Sequence, residues 1–275
     1  MPLVTLNEIL PQAKKAGYAV PAINVANLET TLAVFKAAEA KKSPIIIQVY
    51  QRLFNDERAA LIAAMTAKLA AEASISVVLH LDHGVSPEQI RKAVEAGYTS
   101  VMIDGSQLPF AENIELTAQC VKIARQAGVS IEAEIGHVPF GGGKVALSTP
   151  AEASEFVEAT GVNALAVSIG TAHGYYKDTP RLDLQLAAEI GRSVDIPLVL
   201  HGGTGVPDDQ LEKIIGCGFA KVNIATEFQH LFLKETSRRL NEVDGKFTPV
   251  DLFMAPVEEK LKDYVSAKIG SLRNK

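Results

Sequence analysis

Residues 197–215 read PLVLHGGTGVPDDQLEKII. An apolar run of strand length ends at His201, a glycine-rich turn follows, and Pro207 opens a segment with Leu211, Ile214 and Ile215 at helical spacing. Glycine frees the backbone for the turn, and proline suits the first turn of a helix, where its missing N–H costs nothing. The same order recurs along the chain. Strands are predicted at Ala19–Val25, Pro44–Tyr50, Ser76–Asp82, Ser100–Asp104, Ser130–Glu134, Ala164–Ser168, Pro197–His201 and Lys221–Ile224. Helices are predicted at Leu28–Lys41, Asp56–Ala73, Pro87–Ala96, Ala111–Gln126, Pro150–Thr160, Leu184–Ser193, Pro207–Ile215 and Thr226–Glu242.

Strands alternating with helices imply a parallel sheet, because each crossover must return to the same edge. A doubly wound open sheet is the rival. No Gly-x-Gly-x-x-Gly follows the first strand, and the even units over 275 residues favour closure. The expected fold is therefore α/β, a (β/α)8 TIM barrel with an added C-terminal helix at Val257–Ile269, as one domain over 1–275.

Barrels of this kind carry their chemistry at the C-terminal ends of the strands. Those ends present Asn24; Tyr50, Gln51 and Arg52; Asp82 and His83; Asp104; Glu132 and Glu134; His173 and Gly174 after strand 6; His201, Gly202, Gly203 and Thr204; and Asn223, Ala225 and Thr226. His83, His173 and His201 lie on three separate units, and each is followed by glycine. Any one alone reads as a hydrogen-bonded residue at the core edge. Three imidazoles converging on one face are the donor set of a catalytic metal with an open position. His80, inside strand 3, and His230, inside helix 8, read as structural.

Asp82 adjoins a ligand, and alternation along a strand turns it to the other side unless the strand is ending. It reads either as a partner to an imidazole or as a general acid/base. Gly202–Gly205 and Asn223–Thr226 precede helices 7 and 8. Loops after strands 7 and 8 are common phosphate sites, because helix N-termini present unpaired N–H groups to an anion. Arg52 reads either as a bidentate anion grip or as a solvated ion-pair partner of Asp56 or Glu57.

The motifs LHLDHG (79–84), SVMIDGS (100–106), IEAEIG (131–136), SIGTAHGYY (168–176), PLVLHGGTGVP (197–207) and KVNIATE (221–227) resemble the class II, metal-dependent ketose-bisphosphate aldolases, the fructose- and tagatose-bisphosphate enzymes. The resemblance covers nearly the whole chain. Ala225, where many fructose-type members carry aspartate, is closer to the tagatose branch. It implies Zn2+ on His83, His173 and His201, with Asp104 and Glu134 near a second or alternative metal position. It implies Asp82 as proton donor and acceptor on the aldehyde half. Gly174, Gly202, Gly203, Thr204, Asn223, Ala225 and Thr226 would hold a dihydroxyacetone phosphate half. A monovalent cation, Na+ or K+, is implied near Gly174 and Gly202, and a homodimer or homotetramer is expected. The metal would polarise the substrate ketone.

Three departures bear on the substrate. The loop HVPFGGGKVALS (137–148) is short and lacks the family's glutamate, leaving His137 as the nearest titratable group. Tyr50 stands where the family has a phosphate-binding serine. Pro249-Val250-Asp251-Leu252 replaces a motif whose arginine reaches a distal phosphate. Arg52, helped by Tyr50 or Gln51, is then the candidate grip for a different terminal anion, such as a sulfonate or carboxylate, and Asn24 is a further candidate substrate contact. Sulfofructose 1-phosphate is one such substrate. Ordinary fructose- or tagatose-bisphosphate cleavage is the alternative. A barrel hydrolase is more distant, since the His-x-His pair it commonly carries is missing. So is a non-catalytic subunit of a lyase complex, which intact Asp82 and three histidines argue against.

Bulk composition excludes other classes. Hydrophobic residues make up 47% and charged residues 21%, an ordinary globular balance. With 27 Lys+Arg against 32 Asp+Glu the net charge is −5, which provides no footprint for nucleic acid. The N-terminus has no basic-then-apolar pattern of a secretion signal, and Ala59–Ala73 is too short and too charged to span a membrane. Two cysteines, Cys120 and Cys217, suggest no disulfide framework, and a cytoplasmic location is expected.

Overall fold

The computed structural model describes residues 3–138, 146–174, 180 and 182–273. Eight strands close into a barrel in sequence order, every neighbour parallel. They are β1 (Val20–Asn24), β2 (Ile45–Tyr50), β3 (Val77–Gly84), β4 (Ser100–Ile103), β5 (Ser130–Ile135), β6 (Ala164–Val167), β7 (Leu198–Leu200) and β8 (Phe219–Ile224). Around them run α2 (Leu28–Lys41), α3 (Arg58–Glu72), α4 (Pro87–Glu95), α5 (Phe110–Ala127), α6 (Pro150–Thr160), α7 (Leu184–Ser193), α8 (Asp208–Ile215) and α9 (Thr226–Val243). The expected barrel is present. No helix among the described residues is long and apolar enough to cross a membrane.

The turns that build it follow local chemistry. Asn27, Ser86, Thr149 and Asp183 each accept a hydrogen bond from the backbone N–H three residues on, capping α2, α4, α6 and α7. Pro87 and Pro150 occupy first-turn positions. Helix α5 ends at Gly128 in the left-handed conformation that its chain reversal requires.

Three features differ from the sequence reading. A helix α1 (Leu6–Ala16) precedes β1, held by a reciprocal Thr5–Glu8 capping box and closed at Gly17. The last helix, α10, is longer than expected, running Val250–Arg273 and burying Val257, Leu261, Val265, Ile269 and Leu272 against the outside of the barrel. Gln51–Asn55 forms a 3-10 turn, so α3 starts at Arg58 and not Asp56.

Helix α1 closes the N-terminal end of the barrel. Leu6, Ile9, Leu10 and Ala13 pack on the small interior side chains Val20, Ala22, Ile46, Val78, Ala164, Ala166, Val199 and Ala220. Going up the same strands, the interior becomes polar. Val78 gives way to His80 and Asp82, Ile46 to Gln48 and Tyr50, and Ser130 to Glu132 and Glu134.

Candidate active site

At the mouth the strands bring His83, His173 and His201 together. Ring centroids lie 5.1 Å apart for His83–His173, 4.7 Å for His83–His201 and 5.9 Å for His173–His201. One nitrogen from each ring lies within 4.8 Å of the others. His83, Asp104 and Glu134 form a second group of the same kind.

Strand alternation alone turns Asp82 and His83 to opposite faces. The structure avoids this with a register shift in the β3–β4 pairing between Leu81 and Gly84. His83 takes φ 54°, a left-handed backbone that costs a branched or bulky residue about 1–3 kcal/mol. That turn swings His83 inward beside Asp82, so both line one cavity. Gly84 follows by necessity, since a Cβ there would sit 2.4 Å from the Met102 carbonyl oxygen.

Hydrogen bonds orient the rings. His83 Nδ1 is 2.7 Å from Asp104 Oδ2, and His201 Nε2 is 2.9 Å from Glu132 Oε1. A carboxylate only accepts, so each contacted nitrogen carries a proton. His201 Nδ1 and Glu134 Oε2 are buried, 3.2 Å apart, and neither has a hydrogen-bond partner. Orphaned buried donor atoms beside a cluster of imidazoles fit a metal, since imidazole nitrogen and carboxylate oxygen are what zinc takes.

Charge is uneven over the site. Burial, and then repulsion from His83 and His201, holds His173 down to about 3, so its ring stays neutral. Burial also disfavours charge on His201, but Glu132 and Glu134 outweigh it and push the ring up to about 10. Asp82 is held below the usual carboxylate range: burial opposes ionisation, but His83, His201 and Lys221 and the Asn24 hydrogen bond prevail. Asn24 Nδ2 donates to Asp82 Oδ2 at 2.8 Å and Asn223 Nδ2 to Oδ1 at 3.3 Å, while Gln48 donates to Asn24 Oδ1 at 2.7 Å. Asp82 is thus an ionised carboxylate gripped by two carboxamides.

The cavity over this cluster is walled by most of the residues the strand ends suggested: Asn24, Tyr50, Arg52, Gly174, Gly202, Thr204, Asn223, Ala225 and Thr226. Two predicted substrate contacts fall outside the wall. Gln51 opens the 3-10 turn, and its carbonyl accepts from Gln89. Gly203 packs against β8, where a Cβ would meet Val222 at 2.5 Å and the Asn223 oxygen at 2.8 Å. His137 also lies away from the wall, with Nδ1 3.4 Å from Ser106 Oγ. The loop residues 139–145, and Tyr175 and Tyr176 of the SIGTAHGYY motif, lie outside the described residues.

Arg52 lines the cavity with its guanidinium 5.0 Å over the Tyr50 ring, and Tyr50 in turn lies 5.9 Å from His83. Asp56 pairs with Arg58, and Arg52 is in no ion pair among the described residues. Gln229 is a wall residue that the sequence reading missed. The signal was its spacing: three residues beyond Thr226 on the first turn of a helix shares that residue's face. Thr204 Oγ accepts from the Glu227 N–H at 3.4 Å, which ties the β7–α8 loop to the N-terminus of α9.

The family model described as fructose-bisphosphate aldolase class-II matches residues 4–275. A Bacillus subtilis protein named "Probable fructose-bisphosphate aldolase" is 41% identical over 282 residues, covering 98% of this chain and 97% of the relative. A Staphylococcus epidermidis fructose-bisphosphate aldolase is 40% identical over 285 residues, covering 98% and 96%. Among solved structures, the YdjI aldolase from Escherichia coli superposes with a TM-score of 0.87 at 32% identity, over 98% of this chain and 97% of that one.

Proposed function

This chain belongs to the class-II fructose-bisphosphate aldolase family, and we propose that it reversibly cleaves a ketose 1-phosphate to dihydroxyacetone phosphate and an aldehyde whose far end carries an anion. Membership makes it an aldolase, a carbon–carbon lyase of a family that works with a metal. The identity of the metal as zinc, the substrate and the role of each residue are our reading. One observation carries it: the imidazoles of His83, His173 and His201 bring one nitrogen each within 4.8 Å of the others, beside a cavity walled by an ionised Asp82 and a helix N-terminus.

His83, His173 and His201 would hold the zinc, and Asp104 and Glu134 would offer with His83 an alternative position. Bound there, the metal supplies Lewis acidity to the ketone oxygen of the substrate. Asp82 takes the proton from the hydroxyl on the carbon that becomes the aldehyde, and returns it in the condensation direction. Asn24 and Asn223 keep its carboxylate ionised and aimed. The phosphate sits against Gly202, Thr204 and the first turn of α9 at Ala225 and Thr226, where the positive end of the helix dipole favours an anion. Gly174 and Gly202 remain the place for a monovalent cation.

At the opposite wall, Arg52 meets the terminal anion of the aldehyde half. It is a permanent cation, without a carboxylate partner among the described residues, braced on Tyr50. An exposed arginine that merely balanced its neighbours would pair with Asp56, which instead takes Arg58. The names of the relatives favour phosphate at that end, and Arg52 accepts sulfonate or carboxylate equally well. The expected homodimer or homotetramer and the cytoplasmic location belong to the same proposal, and light scattering of the purified chain tests the first.

The test is a product assay over ketose 1-phosphates that differ only at the far carbon: phosphate, sulfonate as in sulfofructose 1-phosphate, carboxylate, or neutral hydroxyl. An anionic terminus should raise kcat/KM by at least about tenfold, the lower end of what one charge-assisted hydrogen bond contributes. Equal values with the neutral hydroxyl would remove the anion from the proposal. No release of dihydroxyacetone phosphate from any of the four would overturn the ketose 1-phosphate assignment.

A further inference from the structure

Below the histidines lies a polar storey that touches no part of the cavity. Lys221, Glu132 and His80 are all fully buried in the barrel interior. Lys221 Nζ donates to Glu132 Oε2 at 2.8 Å, and Glu132 Oε1 accepts from His201 Nε2 at 2.9 Å. His80 fills the remaining side, with Nδ1 2.8 Å from Ser100 Oγ and Nε2 3.5 Å from Lys221 Nζ.

Placing a lysine and a glutamate there strips both of hydration, and apolar side chains of similar volume are often as good or better for stability. The same barrel shows that apolar filling works, because Val78, Ile46, Ala166 and Val199 fill the level nearer α1. Stability therefore does not account for the pair, and its contact with His201 does. Glu132 and Glu134 sit two apart on β5 and point the same way. Both are within reach of His201, one at each ring nitrogen. A ring that can turn between two carboxylates has no fixed metal-facing atom. Lys221 breaks the tie by holding one oxygen of Glu132 in place and leaving the other to receive Nε2–H.

We propose that Lys221 and Glu132 form a buried positioning pair that fixes the proton of His201 on Nε2 and presents Nδ1 to the metal. Neither residue touches substrate; toward the metal, the lysine acts through the glutamate and the glutamate through the ring. This rests on the metal reading above. A ligand imidazole whose far nitrogen is anchored by a carboxylate loses little freedom on binding, and loss of such a partner commonly weakens metal binding about 10–100-fold.

The experiment uses the full-length, zinc-loaded chain with 15N-labelled histidine. Its His201 signals should show a proton on Nε2 and a metal-bound Nδ1. Zinc competition with a chromophoric chelator is then measured for Glu132→Gln, Lys221→Met and the double variant. Each single variant should bind zinc about 10–100-fold more weakly and shift the Nε2–H resonance. The double variant should be no weaker than Glu132→Gln alone, because the lysine has no second route to the metal. Folded variants with wild-type zinc affinity and an unmoved resonance would overturn the proposal and leave the pair as core filling. Should the variants not fold, the unmodified chain still decides: a proton on Nδ1 of zinc-loaded His201 overturns it. A wild-type chain that takes up no zinc at all defeats the metal reading itself, a different result from either.

Discussion

The two ends of the barrel are built from the same strands and obey opposite rules. At the floor, α1 presses Leu6, Ile9, Leu10 and Ala13 onto Val20, Ala22, Ile46 and Val78, and shape and volume are all that matter. At the mouth, two to four residues further up the strands, Asn24, Asp82, Glu134 and His201 hold one another through directed contacts, with buried polar atoms of Glu134 and His201 left without a hydrogen bond. The floor carries stability and the mouth carries chemistry. If that division is sound, damage at one end should leave the property of the other end intact.

The largest effect is expected at the mouth. His173→Ala removes a ligand outright, so zinc content should collapse and cleavage should fall by more than the roughly 10–100-fold that loss of an outer partner costs. Metal analysis that finds full zinc occupancy in this variant would remove His173 from the ligand set. Asp82→Ala should keep its zinc and lose about 10²–10⁴-fold in kcat, the scale of positioned proton transfer. Wild-type kcat would reduce Asp82 to a hydrogen-bonding neighbour of His83.

Next comes the floor. Leu10→Ala opens a cavity under the barrel and should cost about 2–5 kcal/mol of folding stability, with kcat and zinc affinity of the folded chain unchanged. A denaturant midpoint at the wild-type position, or a tenfold drop in kcat, would break the division between the ends. The smallest effect belongs to the rim. Arg52→Ala should lower kcat/KM about 10–150-fold for a substrate with a terminal anion, the equivalent of one charge-assisted hydrogen bond, and hardly at all for one ending in a hydroxyl. Equal losses on both substrates would return Arg52 to a solvated surface residue.

How far each end was legible from sequence follows the same division. The barrel was readable because proline and glycine punctuate nearly every unit, as in Val206-Pro207 and Gly161. The three candidate ligand histidines stood out because each falls at a strand end before a glycine. Helix α1 was missed since Pro11 lies within it and the strand–helix rhythm begins after it, although Thr5, Glu8 and Gly17 spell a capped helix. The inward turn of His83 was not legible: alternation places it opposite Asp82, and the shifted register depends on pairing with β4. Lys221 was passed over as one charge in an apolar strand. Its partner Glu132 lies 89 residues away, and only closure of the barrel brings them together. Gln51 was expected in the pocket by adjacency to Arg52, and the 3-10 turn sends their side chains apart.

The central claim is that cleavage at the mouth depends on one zinc held by three imidazoles. It is tested most directly by stripping the purified chain with a chelator and titrating zinc back while following release of dihydroxyacetone phosphate from a ketose 1-phosphate. The account predicts loss of turnover on stripping, no loss of the folded barrel by circular dichroism, and full recovery at one zinc per chain. Turnover that persists in the stripped, folded chain would contradict it.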